Sequence, residues 1–107
     1  MAAALICVLL FIANGTVFAQ RSVDDALAQQ YYRNGEYEKA ALIYEKLFAN
    51  GNNQAFYYDQ YLNSLIKIKR YNDAEKLVKR MIKSFPDSHN FQIDMGRLYQ
   101  EQGQRAK

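Results

Sequence analysis

A period of 34 residues runs through most of this chain and constrains its fold more than any other feature. Tyr37 and Ala40 return as Tyr71 and Ala74, and Lys46, Leu47 and Phe48 return as Arg80, Met81 and Ile82. The stretch ahead of each block recurs twice: Leu27, Ala28 and Tyr31 become Tyr61, Leu62 and Leu65, then Met95, Gly96 and Tyr99. Gly35 returns two periods on as Gly103. A fixed period of this length marks stacked units, each too small to bury its own apolar face and each completed by its neighbour.

Inside the period the apolar spacing is helical. Leu27, Tyr31 and Tyr32 follow one stripe, and Tyr37, Ala40, Ala41, Tyr44, Leu47 and Phe48 another, at steps of three and four. Asn34-Gly35 is the turn between them. Ser22 with Asp25 forms a variant capping box, and Asp24 and Asp25 suit the positive end of a helix dipole. Asn50 to Asn53 break the second helix and Pro86 the fourth, with Asp87 and Ser88 as caps for the fifth. No segment alternates as a strand does. The expected architecture is all-α, with helices over 23–33, 37–49, 54–68, 72–85 and 89–102.

These residues resemble the tetratricopeptide repeat, whose 34-residue unit is a helix-turn-helix. The first copy, Arg21 to Gln54, carries Leu27, Ala28, Tyr31, Gly35, Tyr37, Ala40, Tyr44 and Leu47 where the family places such types. The second, Ala55 to Ser88, offers Tyr58, Tyr61, Leu65, Tyr71, Ala74, Val78, Met81 and Pro86, but Leu62 replaces the usual small residue and Lys69 the turn glycine. The third, His89 to Lys107, holds Met95, Gly96, Tyr99 and Gly103 and amounts to half a unit. The resemblance implies an α-solenoid of antiparallel helix pairs, about two and a half repeats long. Ala28, Ala40 and Ala74 then permit close helix approach, and most of the nine tyrosines fill the core instead of lining an aromatic cage. Tyr37 and Tyr71 brace each pair with their hydroxyls toward solvent. On the fourth helix Leu77, Val78, Met81, Ile82 and Phe85 face inward; on the fifth Phe91, Met95, Leu98 and Tyr99 do, with Asp94 and Glu101 outward. Gly103 to Lys107 resembles a turn into another helix, so the chain is expected to continue beyond Lys107.

Composition shifts sharply near the amino end. Met1 to Ala13 contains no charged or polar side chain, and every charged residue lies from Arg21 onward. This run is shorter than the roughly 20 residues that span a bilayer core. With Val17 and Ala19 suiting a cleavage pocket, residues 1–19 read as a secretory signal peptide and Gln20 as the mature terminus. Cys7 sits within the run and not just after it, which argues against a lipid-anchored cysteine. No Lys or Arg precedes the run, and two alternatives stand beside the cleaved signal: an uncleaved inner-membrane anchor, or a buried first helix of a cytosolic chain. Repeats of this type behind a signal resemble bacterial envelope proteins, so the expected location is the periplasm or outer membrane.

One cysteine and one histidine, His89, give no disulfide framework and no metal-ligand cluster. There is no phosphate-cradling glycine loop, no Ser-centred elbow and no HExxH, so neither enzymatic activity nor a cofactor is expected. Glu36 with Glu38, and Asp24 with Asp25, sit at helix starts where solvated capping explains them. The resemblance instead implies binding of a protein or peptide in the concave groove formed by the first helix of each unit. Its groove positions here hold Ser22, Asp25, Gln29, Tyr32 and Arg33, then Phe56, Asp59, Asn63, Ile66 and Lys67, then Asn90, Ile93, Arg97, Gln100 and Glu101. Asn63 and Arg97 offer hydrogen bonds and Phe56, Ile66 and Ile93 apolar contact; an ordinary solvated face is the alternative for each. The positions that clamp a chaperone's terminal carboxylate in one subgroup hold Asp25, Gln29, Gln60, Asn63, Asn90 and Asp94, whose acids repel such a ligand. The net charge of +3 is too small to mark a nucleic-acid binder. The basic stretch Lys67 to Lys83 keeps open an anionic surface as partner, and the solenoid end keeps open self-association.

Overall fold

A computed structural model describes residues 23–50 and 54–106. Among them lie five helices and no strand: α1 (23–33), α2 (Tyr37–Ala49), α3 (Gln54–Lys67), α4 (Tyr71–Ser84) and α5 (Asn90–Ala106). The expected signal over 1–19, the Ser22 cap and the breakers Gly51 to Asn53 lie outside the described residues.

The two tight turns repeat hydrogen bond by hydrogen bond. After α1, Gly35 N–H donates to the Tyr32 carbonyl (3.1 Å) and Glu36 N–H to Tyr31 (2.9 Å). After α3, Lys69 N–H donates to Ile66 (3.0 Å) and Arg70 N–H to Leu65 (2.9 Å). This is the paired closure of a Schellman motif, which needs a left-handed residue just past the helix. Gly35 supplies it at φ 78° and Lys69 at φ 64°, so the missing glycine does not change the turn. The second helix then starts alike, Ala40 N–H bonding Glu36 and Ala74 N–H bonding Arg70, each 3.0 Å. Neither Glu36 nor Arg70 caps its helix through a side chain; they pair instead with Lys39 (3.2 Å) and Asp73 (2.8 Å), with the charges exchanged between the two copies.

Each helix packs on its chain neighbours, as expected of a solenoid. One core cluster joins Ala28 of α1 to Ala40, Tyr44 and Leu47 of α2; the other runs from Ala41 and Phe48 through Tyr58, Leu62 and Leu65 to Ala74, Val78, Met81, Met95 and Leu98. Ala28, Ala40 and Ala74 are fully buried, and there a larger side chain would force the helices apart. Tyr61 packs against both clusters, its ring 5.7 Å from that of Phe48.

Four expectations need correction. Phe85 is 46% exposed, because α4 ends at Ser84 and Phe85 lies past the last turn against the Phe91 ring, 6.0 Å away. Tyr99 is 48% exposed, although its counterpart Leu65 is buried, since among the described residues no helix lies where α4 covers Leu65. The Tyr71 hydroxyl is buried, not solvent-facing. α5 continues through Gly103 to Ala106 instead of ending at 102. The residue two past each true turn is Tyr37 or Tyr71, packed back onto the preceding helix or core. Two past Gly103 stands Arg105, and a lone helical glycine costs only about 1 kcal/mol.

Candidate functional site

α3 and α5 lie side by side and leave a cleft of about 320 Å³ between them. α3 contributes Asp59, Leu62, Asn63 and Ile66; α5 contributes Asp94, Arg97, Leu98 and Glu101. Each set is spaced i, i+3, i+4, i+7, which places it on one helix face. Leu62 and Leu98 are buried and make an apolar floor, while Asp59, Asn63, Arg97 and Glu101 are exposed. Aromatic packing sets the separation of the helices, the Tyr58 ring standing edge-on to Phe91 at 4.9 Å.

The polar wall is organised around Asp94. Tyr58 donates its hydroxyl to Asp94 Oδ2 (2.7 Å), and the Arg97 guanidinium lies 3.7 Å from Asp94 Oδ1. Burial, and then the Asp94 carboxylate, push the Tyr58 phenol well above its ordinary range, so it remains a donor. Asp59 and Glu101 have no ion-pair partner among the described residues. With three carboxylates against one guanidinium the cleft is negative. Asn63 Nδ2 donates to the Tyr32 hydroxyl (3.2 Å), which ties α1 to the same face.

The model of the family described as anaphase-promoting complex, cyclosome, subunit 3, a tetratricopeptide-type repeat family, matches residues 9–81, about two thirds of the chain. The chain belongs to that family. Proteins with such repeats generally mediate protein–protein interaction and are typically scaffolds without enzymatic activity. The matched stretch overlaps residues 9–19 of the expected signal and stops short of α5. No curated protein and no solved structure matches the chain.

In this repeat protein five of the sequence-derived groove residues, Asp59, Asn63, Ile66, Arg97 and Glu101, line the cleft, and Tyr32 joins them through Asn63. Asp25 and Gln29 bond each other on α1 (3.1 Å), and Asp25 is one of the charges that, after burial, push the Tyr44 phenol up to about 12. Arg33, Phe56, Lys67 and Ile93 are exposed on the same three helices but outside the lining. Asp94, expected on the outer face of α5, turns into the cleft because Tyr58 is there to donate to it. Two sequence signals pointed there: its place among the carboxylate-clamp positions of the groove, and an acid three residues before Arg97.

The basic stretch is partly neutralised. Arg70 pairs with Asp73, Lys79 with Glu75 (3.0 Å), and Arg80 stands 5.0 Å over the Phe48 ring. Lys67, Lys69, Lys76 and Lys83 are exposed. Among the described residues no cluster could hold a metal ion, and no helix is long and apolar enough to cross a membrane.

Proposed function

We propose that the protein is a non-enzymatic adaptor that holds a segment of a partner protein in the groove formed by α1, α3 and α5. The observation that carries this reading is the α3–α5 cleft, whose apolar floor and hydrogen-bonding rim suit an extended chain and which stays open in the folded protein. The family's description names a subunit of a multi-protein complex, a setting that suits an adaptor. Selection from a random peptide library tests the reading. Peptides that bind the protein should lose binding to Ile66→Asp and Asn63→Ala variants and keep it to Lys79→Ala; dependence on Lys79 alone would move the site to the basic face of α4.

The place of action belongs to the same proposal. The apolar run Met1 to Ala13, followed by the small residues Val17 and Ala19 ahead of a cleavage point, supports export to the bacterial envelope. Expression from the native start should yield a product lacking residues 1–19 outside the cytoplasm. A cytoplasmic product retaining Met1 would refute export.

A further inference from the structure

We infer that the α3–α5 cleft selects the side chain of an internal lysine or arginine in the partner segment, an inference that rests on the groove reading above. A long cationic side chain is amphipathic, with an apolar stem and a charged head. The cleft is arranged the same way. Leu62 and Leu98, 6% and 1% exposed, and half-buried Ile66 offer a floor for the stem. Asp59 towards one end of the cleft and Glu101 about two helical turns further along each offer an unpaired carboxylate, so a cationic head meets an acid at either end.

Arg97 does not fill that role. Its guanidinium stands 3.7 Å from Asp94, beyond the 2.7–2.9 Å of a tight charge-assisted bond, and its side chain is 73% exposed. It offsets one of three negative charges and leaves the cleft negative. The same field repels an acidic side chain and a free terminal carboxylate, so the occupant is a cation in mid-segment and not a chain end. A volume of about 320 Å³ lies at the small end of ligand sites and suits one long side chain with its own backbone. Phe56 and Ile93, 66% and 60% exposed, stand one helical turn ahead of Asp59 and Arg97 and give apolar contact to the residues flanking the cation.

Amide chemical-shift titration of the intact chain tests this with three blocked peptides: acetyl-Ala-Leu-Lys-Leu-Ala-amide and its analogues with norleucine or Glu in place of Lys. The lysine peptide should shift the amides of Asp59, Asn63, Arg97 and Glu101 and bind about twofold to fivefold tighter than the norleucine peptide at low salt. The glutamate peptide should bind weakest, about 0.5 M salt should compress the series, and Asp59→Asn with Glu101→Gln should abolish the preference. Both residues are exposed, so far-ultraviolet dichroism of these variants should match the parent. Equal binding of the lysine and norleucine peptides in the cleft would overturn cation selection and leave the groove reading standing. No cleft shift with any peptide at several millimolar would overturn both readings, and lysine-peptide shifts confined to α4 would overturn the choice of site.

Discussion

Lys69 occupies a backbone conformation that costs a side-chain-bearing residue about 1 kcal/mol and costs glycine nothing, yet it closes the same turn as Gly35. Space is not the issue at Gly35, where an added Cβ would meet nothing within 4 Å; the strain there is purely torsional. Lys69→Gly should therefore stabilise the protein by about 1 kcal/mol and Gly35→Ala should destabilise it by a similar amount, read as opposite shifts in urea midpoint at unchanged slope. A second residue-scale consequence concerns Tyr44 and Tyr58. Tyr44 donates its hydroxyl to Gln60 and Tyr58 to Asp94, and burial raises both phenols. Above the ordinary value near 10 the unfolded chain loses protons that the fold retains, so their contribution is complete below pH 10. It is lost as pH rises through about 12 for Tyr44. Unfolding free energy should fall by about 1.4 kcal/mol per pH unit for each of the two over that window, and phenolate absorbance from them should appear together with loss of helix. Ionisation of all nine tyrosines with helicity intact would contradict this.

At the scale of elements, α3 is the central helix. It is covered by α2 on one side and α4 on another, and it shares the cleft with α5. Leu65, 1% exposed, sits in that enclosure, and Leu65→Ala should cost about 2–5 kcal/mol because the surrounding helices cannot collapse into the gap. Leu42, 58% exposed on α2, is the control: Leu42→Ala should stay within about 0.5 kcal/mol by the same denaturation measurement. Helix positions and the left-handed turns are set by spacing, Asn34-Gly35 and Tyr37 or Tyr71, and were legible in the chain. The end of α5 was not, since a glycine stops a helix only when later residues dock back on it.

For the whole molecule, sequential packing means that stability is transmitted from one pair to the next. Tyr61 packs against both core clusters and, beside Ala41 and Phe48 of α2, helps to couple α1–α2 to α3–α5. Tyr61→Ala should turn a single unfolding transition into two, or lower its urea slope, where a substitution confined to one cluster such as Val78→Ala should shift the midpoint alone. A single sharp transition at unchanged slope in Tyr61→Ala would place the coupling elsewhere.

The period, the all-helical pairing, the turn positions, the small residues at close approaches and the general location of the groove are legible along the chain. These depend on neighbours three, four or 34 positions away, and regular spacing records them. Packing of the helices against one another turns Asp94 towards Tyr58, leaves Asp59 and Glu101 unpaired in the cleft, and exposes Tyr99 where Leu65 is covered. Tyr58 and Asp94 are 36 residues apart, and no local rule says whether a carboxylate meets a phenol or water. The charge of a site is set by what stands across from it, and that is known only once the helices have packed.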